Sequence, residues 1–205
     1  MQRSNEWHNL RSGKFTASEI HKIMGKSINT DTAMSYIYEK VAQQLTGERN
    51  EFDNAAVRWG TETEPFAKQY YEAAFSEKII ECDFLPYEKF KDNAGFSPDG
   101  ILVGKKKGIE IKCPFNSANH VKYLSIRTQE EFKIECKEYY WQIMMCLAGM
   151  EFIAWDFVTF DPRFTGSLRM QALEISPDDK DILLLETRIN QAIEIKNEIL
   201  TKINF

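Results

Sequence analysis

Phe96-Ser-Pro-Asp-Gly-Ile-Leu-Val-Gly-Lys-Lys-Lys-Gly-Ile-Glu-Ile-Lys-Cys-Pro114 consists of short β-branched runs broken by Gly and Pro, which is the pattern of two strands and a turn. The connection from Gly104 to Gly108 folds the first strand back on the second as a hairpin. Along Gly108 to Pro114, strand alternation sends Glu110 and Lys112 to one face and Ile109, Ile111 and Cys113 to the other. Asp99 opens the preceding strand, so the hairpin brings its carboxylate to the space in front of Glu110.

Two carboxylates and a strand carbonyl are hard oxygen ligands. They suit Mg²⁺, which binds through one or two carboxylates and keeps positions for water and phosphate oxygens. A lysine beside them can hold an attacking water, or help deprotonate it, and can offset negative charge developing on a phosphodiester. The same residues have plainer readings, since Ser-Pro-Asp-Gly is also a turn tetrapeptide and Glu-x-Lys an ion pair on one strand face. What favours a site is the combination of both halves in hairpin order behind an acidic segment: residues 51–99 carry 5 basic and 11 acidic side chains.

Working outward, Thr16 and Glu19 have capping-box spacing, which predicts a short helix through Ile20, Ile23 and Met24 ended by Gly25. Thr30 or Asp31 opens the next helix, with Met34, Ile37, Tyr38, Val41 and Leu45 at helical spacing and Gly47 as its stop. Residues 53–75 predict a third helix interrupted by Gly60 and Pro65. After the hairpin, residues 135–149 return to helix with Tyr140, Ile143, Met144 and Leu147 on one face. Phe152 to Phe160 and Leu168 to Ile175 read as strands, and Ser176 or Asp178 opens a last helix through Ile182, Leu185, Ile189, Ile193 and Ile199. The order gives an α/β fold, a central mixed β-sheet flanked by helices, in a single domain spanning residues 1–205.

Composition narrows the function classes. With 205 residues and 43% hydrophobic side chains the chain buries a real core. A net charge of −5 argues against non-specific coating of a polyanion. His8, His21 and His120 are too scattered for a ligand set, and Cys82, Cys113, Cys136 and Cys146 show no metal or disulfide spacing. The absence of a long apolar run or an apolar leader predicts no membrane association and a cytoplasmic protein.

Asp99 after Pro98, followed by Glu110-Ile111-Lys112, resembles the PD-(D/E)XK nuclease superfamily with its restriction-endonuclease-like core. The likeness extends to Glu6-Trp-His-Asn-Leu-Arg-Ser-Gly-Lys-Phe-Thr-Ala-Ser-Glu19, Arg58-Trp-Gly-Thr-Glu-Thr-Glu64, Tyr140-Trp-Gln-Ile-Met144 and Phe160-Asp-Pro-Arg163. Together these blocks are similar, over residues 6–164, to the lambda exonuclease, or YqaJ-type viral recombinase, family. The resemblance implies a Mg²⁺-dependent 5′→3′ exonuclease that degrades one strand of double-stranded DNA from its ends to mononucleotides. The 3′ overhangs left behind would serve recombination by strand annealing in a phage or prophage setting.

Residue by residue, the resemblance implies that Asp99, Glu110 and the carbonyl of Ile111 bind metal, two Mg²⁺ ions with Mn²⁺ as a substitute, and that Lys112 positions water. It adds Glu64 and Gln142 to the catalytic set, and Arg11, Ser18 and Ser97 as a 5′-phosphate pocket. An arginine fork with hydroxyl donors suits a terminal phosphate. The plainer alternatives are an ion pair of Arg11 with Glu6 or Glu19, and Ser18 as a first-turn helix residue. Val57 stands where the family uses a larger apolar wedge, or is simply core, and Lys22 or Lys26 stands in for a basic residue that meets DNA.

The family also implies a homotrimeric ring around double-stranded DNA and a single-strand annealing protein as partner. In such a ring Lys26, Lys105, Lys106, Lys107 and Lys122 are expected to line the channel, and the apolar stripe of residues 177–203 forms either a subunit seam or a cover over its own sheet. Two rival readings remain: a structure- or site-selective endonuclease on the same core, and a DNA-end binding module without chemistry. The second gains nothing from clustering carboxylates near phosphates unless a cation neutralises them.

Overall fold

In a computed structural model that describes residues 5–48 and 54–203, helix α1 (Asn5–Arg11) leads into strand β1 (Phe15–Thr16) and a 3-10 turn over Ala17–Ile23. The expected capping box is absent. Thr16 makes no side-chain cap, and Glu19 turns instead to Lys22 at 2.6 Å and to Lys40 at 3.2 Å. Lys40 is wholly buried on the next helix, and a buried ammonium needs an anion more than a helix end needs a cap that water can replace.

Helix α2 (Asp31–Thr46) is capped by Thr30, whose hydroxyl accepts from Ala33 N at 3.3 Å, and stops at Gly47 with φ 72°. That left-handed conformation strains residues other than glycine. Ile37 and Val41 are buried as expected, but Tyr38 and Leu45 face solvent. The inward stripe runs instead through Tyr36, Lys40 and Gln43, which complete the Glu19 network. Helix α3 (Ala55–Phe75) starts at Asn54, whose side chain accepts from Val57 N at 3.0 Å, and continues unbroken past Gly60 and Pro65; residue 53 lies outside the described residues. Burial of Ala67 and Tyr71 against the sheet outweighs the local propensity of those two residues.

Strands β2 (Ile79–Ile80), β3 (Leu85–Tyr87), β4 (Lys91–Phe96), β5 (Gly100–Leu102) and β6 (Lys107–Lys112) follow. Helices α4 (Ser117–Ser125), α5 (Gln129–Glu135) and α6 (Lys137–Met150) come next, then strands β7 (Ala154–Phe160) and β8 (Met170–Ile175) and helix α7 (Asp179–Ile203). The main sheet has the order β2-β5-β6-β7-β8; β6 and β7 are parallel and the other pairs antiparallel. A smaller sheet, β1-β4-β3, joins β1 parallel to β4. The hairpin forms as expected, with Gly100 opposite Ile109.

Alternation sorts the two cores. Ile109, Ile111, Val158 and Phe160 pack with Ala67 and Tyr71 of α3, whereas Trp155 and Phe157 join the larger core with Tyr140, Ile143 and Met144 of α6. Gly108 lies under Trp155, where an added Cβ would come within 2.3 Å of the ring. Leu185, Ile189 and Ala192 of α7 are fully buried in the larger core. The C-terminal apolar stripe therefore covers the chain's own core. No helix of the described residues is long and apolar enough to cross a membrane.

Candidate active site

The chain brings together residues that are far apart in sequence at the carboxyl end of β6. One cavity of about 510 Å³ is lined by all nine residues expected from the sequence: Arg11, Ser18, Glu64, Ser97, Asp99, Glu110, Ile111, Lys112 and Gln142. Five elements supply them: α1, the 3-10 turn, α3, the β4–β6 region and α6.

Glu110, 1% exposed, centres one hydrogen-bonded group of the cavity. Its Oε1 accepts from Lys112 Nζ and from Gln142 Nε2, the latter at 2.7 Å. Its Oε2 is buried and has no hydrogen-bond partner among the described residues. Asp99 Oδ2 accepts from Ile111 N at 2.7 Å, which fixes the carboxylate at the start of β5 against β6. Burial pushes the Asp99 carboxyl well above the ordinary range, and Glu110 and Glu64 push in the same direction against Lys112. Burial pulls the Lys112 ammonium down, but Glu110 and Asp99 outweigh it and the net shift is upward. In this arrangement Lys112 is a cation and not a free base. Its Nζ also lies 4.9 Å over the Tyr139 ring.

Glu64 lines the cavity from α3 and pairs with Lys68 at 3.0 Å, one helical turn on. Ile111 lines the cavity while its side chain packs in the core under α3, which leaves its main chain as the group presented.

Arg11, 6% exposed, centres a second hydrogen-bonded group of the cavity. Its Nη2 donates to Ser18 Oγ at 3.1 Å and its Nη1 to Ser97 Oγ at 3.3 Å. The carboxylate of Glu19 goes to Lys22 and Lys40. Trp7, which had no role in the sequence reading, donates its indole N–H to Ser97 Oγ at 3.0 Å and lies under the guanidinium, 4.1 Å from ring centroid to Cζ. The signal for it was the four-residue spacing from Arg11, which puts both on one face of α1.

Val57 is 40% exposed at the cavity wall and is not core. Lys22 is tied to Glu19, and Lys26 is exposed away from the cavity lining. Lys107 begins β6 and Lys112 ends it, a separation of roughly 17 Å at strand rise. Lys107 pairs with Asp156 and Glu174, Lys105 with Glu77 and Lys122 with Glu135. These lysines line no part of the cavity.

Among the described residues no three His, Cys, Asp or Glu side chains gather as a metal cage. Two carboxylates and a main-chain carbonyl nevertheless suit a hard cation that keeps several waters, whereas zinc sites draw on nitrogen and sulfur ligands. The buried, unpartnered Oε2 of Glu110 is the observation that fits such an ion, because a buried carboxylate oxygen without a partner is costly.

A mixed central sheet flanked by helices, with a carboxylate-bearing hairpin at its strand ends, defines an α/β protein with a polar cavity at the end of β6. The chain belongs to the YqaJ-like viral recombinase domain family, whose model matches residues 6–151. Its structure is similar to that of an alkaline exonuclease, LHK-Exo, from Laribacter hongkongensis, with a TM-score of 0.83 and 28% identity over 98% of this chain and 96% of that one. A complex of LHK-Exo with dAMP matches at 29% identity with the same TM-score and coverage. A phage-related exonuclease from Haemophilus somnus 129PT shares the fold, with a TM-score of 0.76 and 17% identity over 96% of this chain and 99% of that one. No curated protein matches the chain.

Proposed function

We propose that the protein is a Mg²⁺-dependent 5′→3′ exonuclease that removes mononucleotides from the 5′-ended strand of duplex DNA and leaves a 3′ overhang. One observation carries the reading: a single cavity holds two hydrogen-bonded groups, an arginine with two hydroxyls and an Asp, Glu and Lys set. A terminal phosphate held by the arginine group fixes the register of the strand, so the bond that meets the acidic group is a set distance from the terminus. Holding the reacting groups in place in this way converts binding into rate.

In this mechanism Asp99 and Glu110, with the Ile111 carbonyl, would hold the cation. When bound, that cation supplies Lewis-acid polarisation of the phosphate and activation of water. Gln142 and Lys112 fix Oε1 of Glu110 and so turn Oε2 toward the ligand role. Lys112, held beside Glu110, orients the attacking water and stabilises the charge that develops on the phosphate. Glu64 completes the acidic wall. Arg11, Ser18 and Ser97 bind the 5′-phosphate, with Trp7 stacked on the guanidinium to keep it rigid.

Residues 1–205 act as a single nuclease domain on a PD-(D/E)XK core, a reading supported by the likeness to LHK-Exo along nearly the whole of both chains. A homotrimeric ring on DNA, a single-strand annealing partner and a cytoplasmic setting complete the proposal, on the strength of the family.

The test is digestion of linear duplex DNA in Mg²⁺, each strand labelled at one end, with 5′-phosphate and 5′-hydroxyl ends and a closed circle as control. Loss of the 5′-phosphorylated strand as mononucleotides, with the circle intact, is expected. A cut circle makes the protein an endonuclease, and binding without cutting makes it an end-binding module. Arg11→Ala should lower the preference for phosphate over hydroxyl by roughly 10- to 150-fold, the value of a charge-assisted hydrogen bond of about 1.5–3 kcal/mol. An unchanged preference places the phosphate elsewhere.

A further inference from the structure

We infer that Phe115 is a stacking platform for a nucleobase of the strand that enters the cavity, a positioning role that rests on the nuclease reading above. Phe115 follows the cavity-lining Lys112 and Cys113 in the turn between β6 and α4, and it is 51% exposed. A single exposed phenylalanine is ordinary on a protein surface. What sets this one apart is how firmly its turn is held and where it stands.

Arg163 Nη2 donates to the carbonyl oxygens of Pro114 and Phe115, each at 3.1 Å. The same guanidinium is fixed by fully buried Asp161, through Nε at 2.8 Å and Nη2 at 2.7 Å. Its Cζ lies 4.7 Å from the centroid of the Trp59 ring. Trp59 in turn meets Phe115 edge to face, with centroids 6.4 Å apart and planes at 73°. Such a contact leaves at least one face of the phenyl ring uncovered.

Phe115 is two residues beyond Cys113, which lines the cavity, so the turn that carries the ring continues directly from the cavity wall, and Trp59 and Arg163 brace that turn from outside the lining. The Asp161–Arg163 clamp is the Phe160-Asp-Pro-Arg163 block of the sequence, which the chemistry inside the cavity leaves without a task. A strand whose phosphates are held by Arg11 and by the acidic group has bases to place beside the polar lining. A rigid, half-exposed aromatic ring offers them a flat apolar face, and every base has one, so the contact works on any sequence.

The test is equilibrium binding of a 5′-phosphorylated duplex with a frayed 5′ end, with Ca²⁺ in place of Mg²⁺, for the wild type, Phe115→Ala, Phe115→Leu and Phe115→Trp. Phe115→Ala and Phe115→Leu should each weaken binding about 5- to 150-fold, the value of one base–aromatic stack, while Phe115→Trp keeps wild-type affinity. An abasic site moved through the first three nucleotides should weaken wild-type binding at one position and cost Phe115→Ala nothing further there.

Wild-type affinity in Phe115→Ala, full rescue by Phe115→Leu, or an abasic penalty equal in wild type and Phe115→Ala would overturn the assignment. Failure of the wild type to bind would overturn it together with the nuclease reading. Binding without degradation of linear duplex in Mg²⁺ sinks the nuclease reading alone, and the affinities still decide Phe115.

Discussion

Gln142→Leu separates a residue that shapes the metal ligand from one that acts on DNA. Gln142 is buried on α6, and its amide donates to the same Glu110 oxygen as Lys112. Leucine is close in size, so the variant removes a donor without opening a large cavity. A hydrogen bond to a charged acceptor is worth about 1.5–3 kcal/mol, or roughly 10- to 150-fold in the equilibrium it supports. Because Lys112 still holds Oε1, the lower end applies, and apparent affinity for Mg²⁺ should fall about tenfold, in line with other residues that orient metal ligands. The assay is the initial rate of linear-duplex digestion across a Mg²⁺ titration. Half-saturation should move to about tenfold more Mg²⁺, with the saturated rate recovering to within a few-fold of wild type. A hundredfold loss at saturation with the midpoint unmoved would refute the reasoning, because it would put Gln142 on the substrate and not on Glu110.

Two further predictions concern stability and access. An added Cβ at Gly60 meets nothing within 4 Å, so Gly60→Ala should stabilise the protein by about 1 kcal/mol, seen as a higher thermal midpoint, with near-wild-type digestion; Gly60→Leu should keep the fold and lose activity as its side chain enters the cavity, and full activity in that variant would move the substrate path elsewhere. Burial works to raise the Glu19 carboxyl, but Lys40 and Lys22 overcome it and hold it at about 2 against an ordinary 4.5. A carboxyl lowered on folding contributes stability above its unfolded pKa, and that contribution, roughly 3 kcal/mol, is lost as pH falls from 4.5 through 2. Urea unfolding of Glu19→Gln should show lower stability at neutral pH, because Lys40 loses an anion, and a shallower decline in that acid window; parallel curves for the two proteins would exclude Glu19 as the titrating group.

The hairpin and the meeting of Asp99, Glu110 and Lys112 were legible because both follow from short-range rules. Period-two alternation fixes which side of β6 carries Glu110 and Lys112, and a Gly-bounded turn fixes where Asp99 lands. Arg11, Ser18, Glu64 and Gln142 came from similarity to a family, since no local pattern links α1, the 3-10 turn, α3 and α6. Thr16-x-x-Glu19 misled because its glutamate belongs to Lys40, a partner 21 residues away that only tertiary packing reveals. Strand β1 has two residues and so no period to detect. Helix α5, by contrast, carries a complete capping box at Thr128 and Glu131 that the sequence displayed openly and the reading passed over.

The placement of charge distinguishes two ways of holding DNA. A protein that coats the duplex offers free cations along a surface. Here Lys105, Lys107 and Lys122 are bound to carboxylates, and the hairpin lysines stand at the end of β6 opposite Lys112. Inside the cavity one buried arginine stands with three carboxylates, Glu64, Asp99 and Glu110, which by themselves repel phosphate. Under the proposed reading a divalent cation held by Asp99 and Glu110 cancels that repulsion where the strand enters the cavity. Under the same reading DNA is held through a few fixed groups in one cavity, which makes a net charge of −5 compatible with a nucleic-acid substrate.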